Sequence, residues 1–326
     1  PLDSKGGVVR FDAGEFGTRS YQANYTAHAG ETLSTTFNVS RRESDNDWRP
    51  WNSFDTTQFT IQPALRFENG VLWENFLSYT DADLQLPGRL VVSSGQDVDQ
   101  WTPYMESGEV ERTAEPFKHS GRYSEIFYYG GRVTKTFGPV DLKSMFYVNR
   151  WSHFHPVTGR INDAVTQVGG LDLPADWGHA GGLLTAGRSL RRDAQDSDAF
   201  TYADVQTLPD GREISTLSDE PGELMRVMRR LTHLTGLYAQ DSFELGERWI
   251  LEAGARVDHI SFDISGHEWL EYDYSAGSWI EGSGPIDSRL SYTVFSPRVG
   301  AVYLAGKGFN LYGNISTGTQ TPTTDE

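Results

Sequence analysis

Trp151, His153 and His155 stand at alternate positions, so an extended chain points all three side chains the same way. Two imidazoles beside an indole on one face could ligate a metal or hydrogen-bond a metal chelate. The competing reading is an aromatic anchor with two solvated histidines. A second group, Trp101, Tyr104, Trp269, Tyr272, Tyr274 and Trp279, offers ring faces and polar tips to an anionic or aromatic ligand. Interfacial packing is the alternative for any one of them. Asp45 and Asp47, and again Asp193, Asp196 and Asp198, lack the spacing of a calcium loop and read as solvated loop residues. The sequence has no G-x-S-x-G, H-E-x-x-H, phosphate-binding loop or G-x-G-x-x-G. With no cysteine it has no thiol chemistry, disulfide or Cys-ligated zinc. The reading is therefore a binding protein without a cofactor, not an enzyme.

The elements carrying these residues alternate with period 2, in stretches broken by turn residues. In 18–28, Tyr21, Ala23, Tyr25 and Ala27 share a face. After Ala29-Gly30-Glu31, Leu33, Thr35, Phe37 and Val39 follow. Hairpins are predicted at Glu68-Asn69-Gly70, Phe137-Gly138-Pro139, Leu245-Gly246-Glu247 and Ala305-Gly306-Lys307. Around the third, Trp249, Leu251, Ala253, Ala255 and Val257 oppose Glu252, Arg256 and Asp258.

A charged row behind an apolar row suits a membrane barrel, where one meets the lumen and the other lipid. A soluble sandwich has the same period. Connection lengths favour the barrel, because short turns alternate with long loops near 41–55, 81–122, 153–231 and 265–289. About ten or eleven strands are expected. In 223–231, Leu224, Val227, Met228 and Leu231 follow helical spacing, which leaves a short helix open beside a strand entry. Arg66, Arg132, Lys143, Glu252, Arg256, Asp258 and Arg298 fall on the lumen side as structural charges.

The formal net charge of -17 disfavours nucleic acid as a partner. Aromatics at 13% suit interfacial girdles. A mean hydropathy of -0.51 does not argue against a membrane barrel, whose strands bury apolar side chains only at every second position.

The strand Leu237-Tyr238-Ala239-Gln240-Asp241-Ser242-Phe243, followed by Trp249 to Asp258, resembles the "YAQD" and "L.L.AG.R.D" strands of TonB-dependent receptors. Phe295-Ser296-Pro297-Arg298-Val299-Gly300 is similar to that family's "SPR.G" strand, and Leu311-Tyr312-Gly313-Asn314-Ile315-Ser316-Thr317-Gly318 to its "LY..YS.G" strand. Gly14-Glu15-Phe16-Gly17 and Leu86-Pro87-Gly88 resemble earlier pieces. The resemblance covers mainly 1–90 and 233–323 and leaves the long loops unmatched.

The resemblance implies an all-β antiparallel transmembrane barrel of the bacterial outer membrane, of which 1–326 would be part of a 22-stranded whole. The N-terminal plug and the C-terminal strands would lie outside this sequence. The implied function is TonB-dependent uptake of a scarce nutrient, most often a ferric siderophore. The partners would be that ligand, outer-membrane lipid, and the TonB-ExbB-ExbD complex acting through the missing N-terminal region. Haem is disfavoured, since Ser316 to Thr323 lacks the Phe and Arg of the haem receptors' "FRAP" motif. The alternatives are a porin-like channel, a secreted carbohydrate-binding sandwich and an outer-membrane enzyme barrel.

Overall fold

In a computed structural model, residues 5–88, 117–306 and 308–319 are described. Their strands are β1 (Gly6–Ala13), β2 (Arg19–Ala29), β3 (Leu33–Ser44), β4 (Phe54–Arg66), β5 (Leu72–Leu86), β6 (Ser120–Phe137), β7 (Val140–Val157), β8 (Arg160–His179), β9 (Gly182–Tyr202), β10 (Val205–Thr207), β11 (Glu213–Thr216), β12 (Pro221–Leu245), β13 (Trp249–Asp273), β14 (Ser278–Gly306) and β15 (Phe309–Ser316). Thirteen form one sheet in chain order, each antiparallel to the next, while β10 and β11 pair separately between β9 and β12. No helix occurs among the described residues.

Register sorts the side chains onto two faces. One carries ion pairs: Arg132 with Glu74 at 2.6 Å, Lys143 with Asp176 at 2.5 Å, Arg256 with Asp258 at 2.7 Å, and Arg298 with Glu252. The other carries Phe37, Val39, Phe59, Leu142, Phe146, Val148, Leu173, Leu237, Val257 and Phe295. Leu237 is 60% and Phe295 61% exposed. A sandwich would bury this row under a second sheet, yet extensive contacts between strands of the large sheet run only to hydrogen-bonded neighbours. The apolar row therefore faces outward.

Its height matches a membrane. On β13 the outward residues are Leu251, Ala253, Ala255 and Val257, followed by His259, Ser261 and Asp263. On β7 Val148 gives way to Arg150, and on β5 Tyr79 gives way to Asp81. An apolar band of this length fits the roughly 9–11 residues of a tilted spanning strand.

Among the described residues, the turns at one end are short: 30–32, 67–71, 138–139, 180–181 and 246–248. Gly138 and Gly246 adopt φ of 58° and 64°, the left-handed conformation that such tight turns demand. This is the periplasmic end. At the other end the strands run on well past the apolar band, β12 and β13 for 25 residues and β14 for 29.

Here the structure corrects the sequence reading. The expected loop 153–231 contains β8 and β9, joined by a turn at 180–181, and β7 continues to Val157. The expected loop 265–289 is the tip of the β13–β14 hairpin. Residues 223–231 lie inside β12 rather than in a helix. At the β13–β14 tip and in the upper part of β12, above the membrane, neither face must be apolar, so hydrophobic alternation lapses while backbone pairing continues. β8 and β9 cross the membrane, but Gly169, Gly170 and Pro174 and the outward Arg188 and Arg192 break their alternation. The open connections left on that side, among the described residues, include 45–53 between β3 and β4 and 203–220 with its small hairpin.

Candidate ligand site at the extracellular end of the lumen

Trp151, His153 and His155 sit on the lumen face of β7, in line with Asp141, Lys143 and Tyr147. The indole and the first imidazole are 4.5 Å apart between ring centroids, and the two imidazoles 4.9 Å. The set begins above Arg150, the first outward charge of β7, so it lies beyond the hydrocarbon. His153 Nδ1 meets Ser124 Oγ at 3.1 Å, and His155 Nδ1 meets the Gly121 carbonyl at 2.5 Å. With each Nδ1 engaged, Nε2 is the ring atom left to meet a ligand. Arg122, next along the lumen face of β6, lies over the Trp151 ring at 5.6 Å.

Electrostatics set the character of this patch. The lumen-facing partners across β6 and β8 are Ser124, Ile126, Ala164, Thr166 and Asn162, with no carboxylate among them. Burial, then His155 and Arg122, push the His153 imidazole down to about 4, so it is neutral at physiological pH. Trp151 Nε1 and Asn149 Oδ1, one step below, are buried without a hydrogen-bond partner among the described residues. A cation, the neutral His153 imidazole, the His155 ring beside it, an indole donor and an amide acceptor thus converge where a solute would enter.

The other candidates are distributed differently. Trp101 and Tyr104 lie outside the described residues. Tyr272 is 8% exposed and belongs to an apolar cluster with Phe117, Ile161, Ala199, Tyr202 and Met225. Its ring meets Phe117 edge-on at 5.3 Å and Trp279 at 5.6 Å, so it is committed to packing. Trp279 Nε1 donates to the Gly159 carbonyl at 3.0 Å, which ties the β13–β14 tip to the β7–β8 turn. Tyr274 and Trp269 are exposed at the same tip, Trp269 stacking on His267 at 4.5 Å. None of these tip residues forms ring contacts with the β7 group.

Asp193, Asp196 and Asp198, expected in a loop, lie on β9. Asp193 pairs with Arg191 at 2.8 Å and Asp196 with Arg229 at 3.4 Å, and no group of three or more metal-ligating side chains occurs among the described residues.

Sequence reasoning missed Arg122, Ser124 and Asn149. Arg122 and Ser124 enter through the β6–β7 register, which fixes who stands beside whom and which no single-strand pattern reveals. It also missed the strap 203–220. There Tyr123 donates to Asp219 at 2.8 Å, His119 Nδ1 meets the Thr216 carbonyl at 2.8 Å, and the Glu213 amide donates to the Gly277 carbonyl at 2.9 Å.

The sequence pattern described as "TonB dependent receptor-like, beta-barrel" matches residues 3–326. No curated protein matches the chain in sequence. Among solved structures, the ferric-catecholate import receptor Fiu from E. coli K12 in its open form is 13% identical, with a TM-score of 0.70 over 99% of this chain and 56% of that one. The ferric yersiniabactin uptake receptor FyuA from Yersinia pestis is 12% identical, with a TM-score of 0.62 over 94% and 45%. The copper transporter OprC is 14% identical, with a TM-score of 0.63 over 98% and 46%. At such identities the likeness is one of fold, and the chain spans about half the length of these receptors. The outward apolar band, the ion-paired lumen and the matched sequence pattern agree: this chain belongs to the TonB-dependent receptor family, as wall of its transmembrane β-barrel in the bacterial outer membrane.

Proposed function

We infer that the protein takes up a scarce nutrient through the outer membrane as an anionic metal chelate, a ferric siderophore being the best fit. It acts as a receptor rather than as an enzyme. The observation carrying this reading is the carboxylate-free patch of Arg122, Trp151, His153 and His155 at the lumen mouth. An anionic chelate would gain a guanidinium, an aromatic face and neutral hydrogen-bonding groups there, with no opposing charge to overcome. Ferric-catecholate and ferric yersiniabactin uptake by structural neighbours supports the class.

Among the described residues, β1 and β15 each pair on one side only. We read them as joining further strands of the same barrel, around a plug driven by the TonB-ExbB-ExbD complex. The charged lumen row would face that plug.

A copper-uptake reading has its own support, because both Nε2 atoms are left to ligate and one neighbour is a copper transporter. Radio-iron and radio-copper uptake by cells carrying the full-length receptor separates the two. Trp151→Ala/His153→Ala/His155→Ala should lower uptake of ferric siderophore by about tenfold or more, the loss expected when several contacts of a hot spot go. Unchanged ferric uptake with lost copper uptake would favour the second reading, and no change in either would defeat both.

A further inference from the structure

Along β9 the outward face breaks its own rule. Arg188 lies in the most apolar outward row, directly between Leu173 of β8 and Leu237 of β12, with Val257 and Phe295 beyond. Its side chain is exposed. A guanidinium facing hydrocarbon is unfavourable unless it can reach a polar group, and its long stem lets it rise toward the headgroup layer. Arg192, four residues up the strand, faces outward opposite His233, and Arg150 faces outward on β7. From strand spacing and rise, the Cα atoms of Arg150 and Arg192 are about 12 Å apart, close enough for both side chains to converge on one headgroup.

Most basic groups around them are neutralised. On the outer face Arg229 and Arg289 pair with Asp196 and Asp263. No carboxylate among the described residues pairs with Arg150, Arg188 or Arg192. The next outward side chains up β9 after Ala194 are acidic, Asp196 and Asp198. The cationic zone therefore rises from Arg188, in the uppermost apolar row, to Arg192 and Arg150 at the upper boundary of the hydrocarbon, and it ends below Asp196 and Asp198. On the β3–β6 side the corresponding boundary carries Arg41, Asp55, Asp81 and Glu125, which is net acidic, with Arg41 already bound to Asp55.

We propose that Arg150, Arg188 and Arg192, with His233 beside them, form a binding site on the outer wall of the barrel for the phosphate groups of an outer-leaflet lipid. The guanidinium forks would hold phosphate oxygens, and Leu173, Leu190 and Leu237 would meet the acyl chains. The site lies on the face opposite the nutrient route.

The test uses the full-length receptor in non-ionic detergent, titrated with fluorescent bisphosphorylated lipid A, the same lipid dephosphorylated, and inorganic phosphate. Arg150→Gln/Arg188→Gln/Arg192→Gln is expected to bind the phosphorylated lipid about tenfold or more weakly than the natural protein, as loss of several charge-assisted contacts implies. The triple Arg→Lys variant, which keeps the point charges, should stay within about threefold. Dephosphorylated lipid should bind both proteins weakly and alike. Heat-modifiable gel mobility reports that each variant is folded, and if the triple Gln variant is not, Arg188→Gln alone should weaken binding by about threefold. Equal binding by the Gln variants and the natural protein, or equal affinity for the lipid with and without phosphates, would overturn the proposal. So would full displacement by millimolar inorganic phosphate, which would mark a site for the free ion.

Discussion

His153 is the residue on which the lumen site turns electrically. Burial and the neighbouring Arg122 and His155 disfavour its charged form, so it presents a neutral imidazole over the whole physiological range. With its pKa lowered in the fold, the unfolded chain binds more protons between about 6.5 and 4, and whatever His153 contributes to stability is lost as pH falls through that window. NMR of histidine-labelled full-length receptor should show one imidazole titrating near 4, and His153→Gln should remove that resonance. A spectrum in which every imidazole titrates near 6.5 would show that the patch is open to water and free of nearby positive charge. The spacing of Trp151, His153 and His155 made the site legible in the sequence. Its cation and its buried amide oxygen were not, because Arg122 and Asn149 acquire a place only once register and burial are known.

At the scale of elements, the strap 203–220 ties the extracellular tips together through Tyr123, His119 and Gly277. It carries Glu213, 7% exposed, whose carboxyl burial pushes up to about 7. Because the folded pKa is raised, the strap is most stable when Glu213 is protonated, below about 4.5, and loses stability as pH rises through about 7. Amide exchange at 213–216, corrected for intrinsic rates, should report opening easier by roughly 1–2 kcal/mol at pH 8 than at pH 5, at 1.36 kcal/mol per unit discounted for partial solvation. Glu213→Gln should abolish the difference, whereas a pH dependence persisting in that variant would place its origin elsewhere.

The long hairpins make a separate prediction. A Cβ on Gly266 would stand 2.2 Å from the Val227 carbonyl oxygen, which is backbone and has no rotamer to yield. Gly266→Val should therefore destabilise the β12–β13 pairing above the membrane by about 1–3 kcal/mol. Exchange protection should fall at 226–231 and persist at 237–243. Unchanged protection at 226–231 would mean that the two strands do not approach as described. The feet of these hairpins were legible because lipid forces an apolar side chain at every second position. β8 and β9 were not, because Gly169-Gly170 and Pro174 read as breaks, and outward Asp163, Gln167, Arg188 and Arg192 erase the alternation on which a strand assignment depends.

For the whole molecule, stability and function both follow from one asymmetry. One face of a thirteen-stranded sheet is apolar over a membrane's thickness, and the other is bridged by ion pairs. With no native cysteine, single introduced thiols can carry spin labels without background. The most direct measurement is collisional accessibility of such labels in the full-length receptor reconstituted in lipid bilayers, placed at Leu237, Val257 and Phe295, at Gln240 and Ser296, and at Asp287. Labels at the first three should collide with oxygen and be shielded from a water-soluble nickel chelate. Those at Gln240 and Ser296, on the lumen face, should show much lower oxygen collision, and the one at Asp287 should meet the chelate freely. Labels at Leu237, Val257 and Phe295 that meet the chelate freely, or that are shielded from both reagents, would contradict the account.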